Sequence, residues 1–145
     1  MHERKILVNK TLKYIESLFK IIEVYSNEYN EISNYVMDIN KYTIQVDDDD
    51  LNDNLKPGDI LIYNLFCDFS LFIKDQINNN TISENILHDF NKIISNMYDT
   101  DDPEIIDIVN TCVFEIIIDS ELCEKTIKKL LKGKMLENYI KLINH

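Results

Sequence analysis

Only two glycines and two prolines interrupt the 145 residues of this chain. Glycine supplies the positive φ of tight turns and proline pre-sets their first corner. A chain this poor in both lacks the punctuation of a sandwich or barrel. It also lacks the glycines of a dinucleotide fingerprint or a phosphate-binding loop. Its apolar residues instead recur with a helical period. Val8, Leu12, Ile15, Phe19 and Ile22 step by four, three, four and three, which builds one stripe on a helix. The rhythm continues through Tyr25, Tyr29, Ile32, Val36 and Ile39. Ser26-Asn27 followed by Glu28 has the form of a helix start, which predicts two helices meeting near Asn27 rather than one long rod.

Tyr42–Val46 has strand composition but stands alone, and reads as an extended connection. An acidic loop over 47–58, from Asp47-Asp48-Asp49-Asp50 to Pro57-Gly58, separates the N-terminal helices from a central one. Asp59 is placed to cap that central helix, which runs to about Ile77. Its apolar residues, from Ile60 to Ile73, cover most of the circumference, so it belongs in the middle of a bundle. Leu65, Phe69 and Phe72, with Ile106, Val109, Val113 and Ile117, are the expected core. Asn78-Asn79-Asn80 ends the central helix. Thr81-x-x-Glu84 has the pattern of a capping box before Ile86, Leu87, Phe90, Ile93, Ile94 and Met97.

Asp102-Pro103-Glu104 is a strong start signal: a cap acceptor, proline at the first helical position, and an acid near the positive end of the dipole. Asp119 or Ser120 opens the next helix, Gly133 supplies a left-handed stop, and a last helix carries Tyr139 and Ile140. The expectation is one all-α domain over 1–145, with six or seven helices in a compact bundle of stacked hairpins.

Charge narrows the partners. The chain carries −11, with a pI near 4.6. Residues 126–145 hold five lysines against Glu137 alone and carry +4, which leaves −15 on the first 125. Such a field disfavours nucleic acid and suits a basic protein partner. The acids gather at 47–53, 99–107 and 115–124. Two candidate docking faces follow: Asp47, Asp48, Asp49 and Asp50 on the loop, or Asp101, Asp107, Glu115 and Asp119 on helices. Rigid helices hold charges in register better than a loop, which favours the second.

Little points to chemistry. His88 is the only internal histidine, and its neighbour Asp89 lies about 100° around a helix, out of pairing reach. His88 reads as a boundary residue. Cys67, Cys112 and Cys123 are odd in number and lack a Cys-x-x-Cys pair; they read as reduced, buried thiols of a cytoplasmic protein. Asp48-x-Asp50-x-Asn52 with Asp59 at the twelfth position has calcium-loop spacing. Asp53 occupies the glycine position, and Pro57-Gly58 intrude, so a solvated acidic loop is the better reading. No stretch is long and apolar enough to span a bilayer, and residues 1–8 show no leader pattern. No metal, cofactor or enzymatic activity is expected.

The run Asp101-Asp102-Pro103-Glu104-Ile105-Ile106-Asp107-Ile108-Val109, then Val113-Phe114-Glu115-Ile116-Ile117, then Leu130-Leu131-Lys132-Gly133-Lys134-Met135-Leu136-Glu137 resembles a group of small acidic all-helical bacterial proteins. These are immunity proteins of polymorphic toxin and contact-dependent growth inhibition systems. The resemblance covers roughly residues 57–145. It implies a cytoplasmic inhibitor that binds a cognate toxin domain, a basic nuclease above all, without touching membrane or nucleic acid itself. It carries over no individual binding residue. The alternative is a helical adaptor without a toxin partner, including a Bcl-2-like viral bundle. That reading needs an exposed apolar groove, whereas the apolar stripes here look fully used by a core.

Overall fold

The computed structural model describes residues 2–29, 32–35 and 62–144. The expected extended connection at 42–46, the acidic loop at 47–58 and the Asp59 cap lie outside these residues. The described chain is all-helical: α1 (His2–Tyr25), α2 (Ile32–Tyr35), α3 (Ile62–Asn78), α4 (Glu84–Tyr98), α5 (Pro103–Val109), a π-helical turn (Asn110–Phe114), α6 (Glu115–Ile117), α7 (Glu121–Lys128) and α8 (Gly133–Ile143). α5, the π turn and α6 run on as one rod.

α3 is the hub. Leu65, Phe66, Phe69, Phe72 and Ile73 are wholly buried, because α2, α5, the π turn, α6 and α7 pack around them. Phe72 receives Tyr29 edge-on at 5.6 Å and Tyr35 at 5.7 Å, and Phe69 meets Phe90 of α4 at 5.1 Å. α1 lies along α4 and touches α5, while α8 packs on α4. Tyr139 of α8 is fully buried against Phe114 at 5.0 Å.

The chain breaks after Tyr25 as expected. Residues 26–28 turn, and Glu28 N–H and Tyr29 N–H both donate to the Tyr25 carbonyl. α3 is stopped by Asn80, just past its end, which takes φ +58. Asn80 N–H donates to Ile77 O and Thr81 N–H to Gln76 O, the paired bonds of a Schellman stop. Asp102 caps α5 through its Oδ1, which accepts from Glu104 N–H at 3.0 Å, with Pro103 at the first helical position. Ser120 does the same for α7, accepting from Cys123 N–H.

Several local expectations are corrected. The predicted capping box at Thr81 does not form: Ser83 is the N-cap of α4 and makes no side-chain cap bond, while Thr81 Oγ1 turns back to Gln76. Gly133 is left-handed (φ +58), but α7 ends earlier, at Lys128, and Gly133 forms the corner that opens α8. On α1 the buried line is Thr11, Tyr14, Ile15, Leu18, Ile21 and Tyr25; Leu12 is exposed, and Phe19 and Ile22 sit at the margin. The helix is apolar over a broad arc, and the line that α4 and α5 cover becomes the core. Ile106 is half-buried rather than solvent-free. Ile105 and Ile108 face inward on α5 and Ile106 lies at the edge; the π turn that follows admits an extra residue, and Cys112, Val113 and Phe114 are all buried within it.

Two stability outcomes follow, both read from urea denaturation. Phe69→Ala removes a wholly buried ring at the hub and is expected to cost about 3–5 kcal/mol. Among the described residues the buried Tyr139 hydroxyl has no hydrogen-bond partner, and burial pushes the phenol up to about 12. Tyr139→Phe keeps the ring and removes an orphaned polar atom, so it is expected to leave stability unchanged or raise it by about 1 kcal/mol. A loss of more than about 1 kcal/mol would mean that the hydroxyl is satisfied.

Candidate functional site

The helical half of the predicted docking face can be placed; Asp47, Asp48, Asp49 and Asp50 lie outside the described residues. Asp107 and Glu115 are both exposed on the α5–α6 rod, with Thr111 midway between them. Thr111 Oγ1 donates to Asp107 Oδ1 at 3.3 Å, which marks the two as neighbours on one face. Each four-residue step advances about 6 Å, so Asp107 and Glu115 stand about 12 Å apart along the rod. Glu104, one turn before Asp107, is also exposed.

The other two predicted residues serve differently. Asp101 sits at the α4–α5 corner with φ +56, and its Oδ1 is held by the Lys134 ammonium of α8. Asp119 lies past the end of α6, exposed, with Lys74 Nζ of α3 4.0 Å away. Asp107 and Glu115 therefore belong to one surface, whereas Asp101 and Asp119 mark its two ends and are partnered by lysines.

Further polar pairs were not visible in the sequence. Lys10 Nζ of α1 donates to Asp102 Oδ2 at 2.7 Å and to Glu104 Oε1 at 3.0 Å. The Asp102 hydrogen bond, then that of Glu104, raises the Lys10 ammonium, and the same bond holds the Asp102 carboxyl below its usual range. Tyrosines take up aspartates elsewhere. Tyr63 Oη donates to Asp107 Oδ2 at 2.7 Å, Tyr25 Oη to Asp89 Oδ2 at 2.7 Å, and Tyr35 Oη to Asp75. The Asp89 bond, followed by burial, pushes the Tyr25 phenol up to about 12; burial, followed by the Asp107 bond, raises Tyr63 as well. These partners are 40 to 94 residues apart in the chain, so no local spacing announces them.

The groups considered for chemistry are dispersed. His88 is exposed rather than at the boundary, and Asp89 turns to Tyr25. Cys112 and Cys123 are buried and Cys67 is half-buried, all as free thiols. Burial, then the neighbouring Cys67, raises the Cys112 thiol, which donates to Tyr63 O at 3.3 Å; burial also raises Cys123. A raised thiol is a poor nucleophile at neutral pH. Among the described residues no group of three His, Cys, Asp or Glu side chains converges on a metal-sized site, and no helix is long and apolar enough to cross a membrane.

No family model, curated protein or solved structure matches the chain.

The Lys10–Asp102 pair yields a pH prediction. A carboxyl depressed in the folded state contributes stability that is complete above its unfolded value, near pH 4, and lost as pH falls through its folded value. Lys10→Met removes the largest cause of the depression. Urea midpoints measured between about pH 5 and pH 2 are expected to fall less steeply for Lys10→Met than for the parent. Identical slopes would mean that the pair contributes nothing to the acid limb.

Proposed function

We propose that the protein is an immunity protein: an acidic helical inhibitor that binds a cognate toxin domain, a basic nuclease, from a contact-dependent or polymorphic toxin system. The observation that carries the reading is the exposed pair Asp107 and Glu115 on one face of a rigid rod, in a chain of net charge −11. Nuclease domains hold phosphates with clustered cations. Carboxylates about 12 Å apart on a helix offer the same cations a fixed anionic counterpart. The rod is anchored for this purpose. Its N-terminus is capped by Asp102 and clamped by Lys10, and its inner face rests on α3.

Acid-to-lysine and acid-to-tyrosine pairs modulate the reading. Asp101 is already engaged by Lys134, and its carboxylate contributes less to a free field than its position suggests. Asp107 has no lysine partner among the described residues, and its Tyr63 bond holds it in place. The expected hierarchy on this face is Asp107 and Glu115 first, Asp119 and Asp101 after them.

Production of the chain together with the product of the neighbouring toxin gene tests the proposal. Co-purification in a one-to-one complex and rescue from toxicity are the expected results. Asp107→Asn with Glu115→Gln is expected to lower the association rate about tenfold at low salt, with a smaller change in dissociation. The parent rate should itself fall steeply as salt rises. Stopped-flow association across an ionic-strength series reads both. A flat salt response, or failure of the neighbouring product to bind, sinks the proposal. His88→Ala is expected to leave binding and rescue intact, since His88 is exposed on α4 and is not part of the α5–α6 rod.

A further inference from the structure

Two of the three free thiols stand together. The Cys112 thiol, in the π turn, donates to Tyr63 O of α3 at 3.3 Å. That carbonyl is the one to which the Cys67 amide bonds in the helix ladder. Side chains of a helix lean back toward its N-terminus, so the Cys67 side chain covers the very turn that Cys112 reaches. The two thiols are accordingly in side-chain contact. Cys123 is set apart from them. Its thiol meets Lys74 O, about 16 Å further along α3 than Tyr63 O.

Access divides the pair. Cys112 has no exposure, whereas Cys67 is half-buried on the margin of α3 beside the exposed Asn64 and Leu71. A small oxidant in solution therefore meets Cys67 and not Cys112. Burial also raises the Cys112 thiol, which keeps it from reacting on its own account. The backbones are close enough for a bond between the sulfurs. A disulfide needs Cα atoms within about 7 Å, and here one sulfur already rests on the main chain of the helix that carries the other.

We propose that Cys67 and Cys112 are a peroxide-responsive dithiol, closed by oxidation into a disulfide that ties α3 to the π turn. In the first step the Cys67 sulfur attacks one oxygen of hydrogen peroxide. The S–O bond forms, the O–O bond breaks, the peroxide leaves as water, and Cys67 becomes a sulfenic acid. In the second step the Cys112 sulfur attacks the sulfenic sulfur. The S–S bond forms, the S–O bond breaks, and the hydroxyl leaves with the Cys112 proton as a second water. Two electrons pass from the thiols to the peroxide. A raised thiol is a slow nucleophile in solution, but one held in contact with its target acts at an effective concentration far above that of any free thiol. Cys112 follows Thr111, midway between Asp107 and Glu115, so the cross-link pins the rod beneath its acid face. The inference rests on the thiols and does not depend on the toxin reading.

The test exposes the folded full chain to hydrogen peroxide at a dose that fully oxidises free cysteine. Thiols are then titrated in denaturant, and the digest is mapped by mass spectrometry. The expected result is loss of two of the three thiols and a linked Cys67–Cys112 peptide pair that dithiothreitol separates. Cys112→Ala is expected to halt at the Cys67 sulfenic acid and to give about tenfold more dimedone adduct there than the parent. Should Cys112→Ala not fold, Cys67→Ser, at the more exposed position, is expected to keep both remaining thiols through the same treatment. The proposal is overturned by any of four results: three thiols surviving in the parent, Cys67 passing to sulfinic acid without a disulfide, a link to Cys123 or between two chains, or thiol loss in Cys67→Ser equal to that of the parent. A Cys67–Cys112 link that forms only in urea would show that the folded geometry forbids it, and equally overturns the proposal.

Discussion

Burial of α3 on nearly every side is the constraint to which the remaining helices answer. Its exposed line is only Asn64, Leu71 and Asn78, each seven residues apart; Tyr63, Cys67, Asp68, Lys74 and Asp75 are half-buried along the margins and the rest are buried. A helix with so narrow a wet edge is stable only when other helices close around it, because each large apolar side chain it hides is worth about 1.5–3 kcal/mol. α2 covers it through Tyr35, the α5–α6 rod along the π turn, and α7 through Cys123, whose thiol donates to Lys74 O at 3.4 Å. The rod's inner face is dictated by this packing, and its outer face, with Asp107 and Glu115, is what remains.

The π turn sits where that packing is tightest. Asn110–Phe114 includes Cys112, Val113 and Phe114, all without exposure. Glu115 N–H reaches back to Asn110 O, a span of five residues, and the wider turn lets Phe114 enter the cluster of Tyr98 and Tyr139. Asn110 Oδ1 is held by the Tyr98 hydroxyl, so the start of the widened turn is pinned from α4. A regular α-helix through the same residues would aim Phe114 elsewhere.

Tyrosine hydroxyls distribute the acid charge. The Tyr29 hydroxyl accepts from Ser83 N–H at 2.7 Å and donates to Thr81 O at 3.1 Å, tying the turn after α1 to the loop before α4. Tyr25 and Tyr63 each donate to an aspartate on another helix. Hydrogen bonds to charged groups are stronger than neutral ones. They orient the carboxylates without neutralising them, so the acid surface is both charged and held. Lysine pairs at Asp101, Asp102 and Glu104 do the opposite and cancel charge locally. Net charge alone therefore overstates how much of this surface is free to meet a partner.

Much of the fold was legible along the chain. The helical period, the broad apolar arc of α3, the break after Tyr25, the Asn80 stop and the Asp102-Pro103-Glu104 start are all local: each depends on residues within about one turn, where spacing and capping chemistry act. The sequence also determined the charge and its concentration at the 99–107 and 115–124 stretches. Tertiary structure decided the rest. It chose which arc of α1 is covered, leaving Leu12 and Val24 outside. It widened one turn of the α5–α6 rod. It paired Lys10 with Asp102 across 92 residues, and it set the Cys112 thiol against Cys67. These features arise from close packing and charge contact between segments distant in sequence, and a linear pattern carries no record of which distant faces will meet.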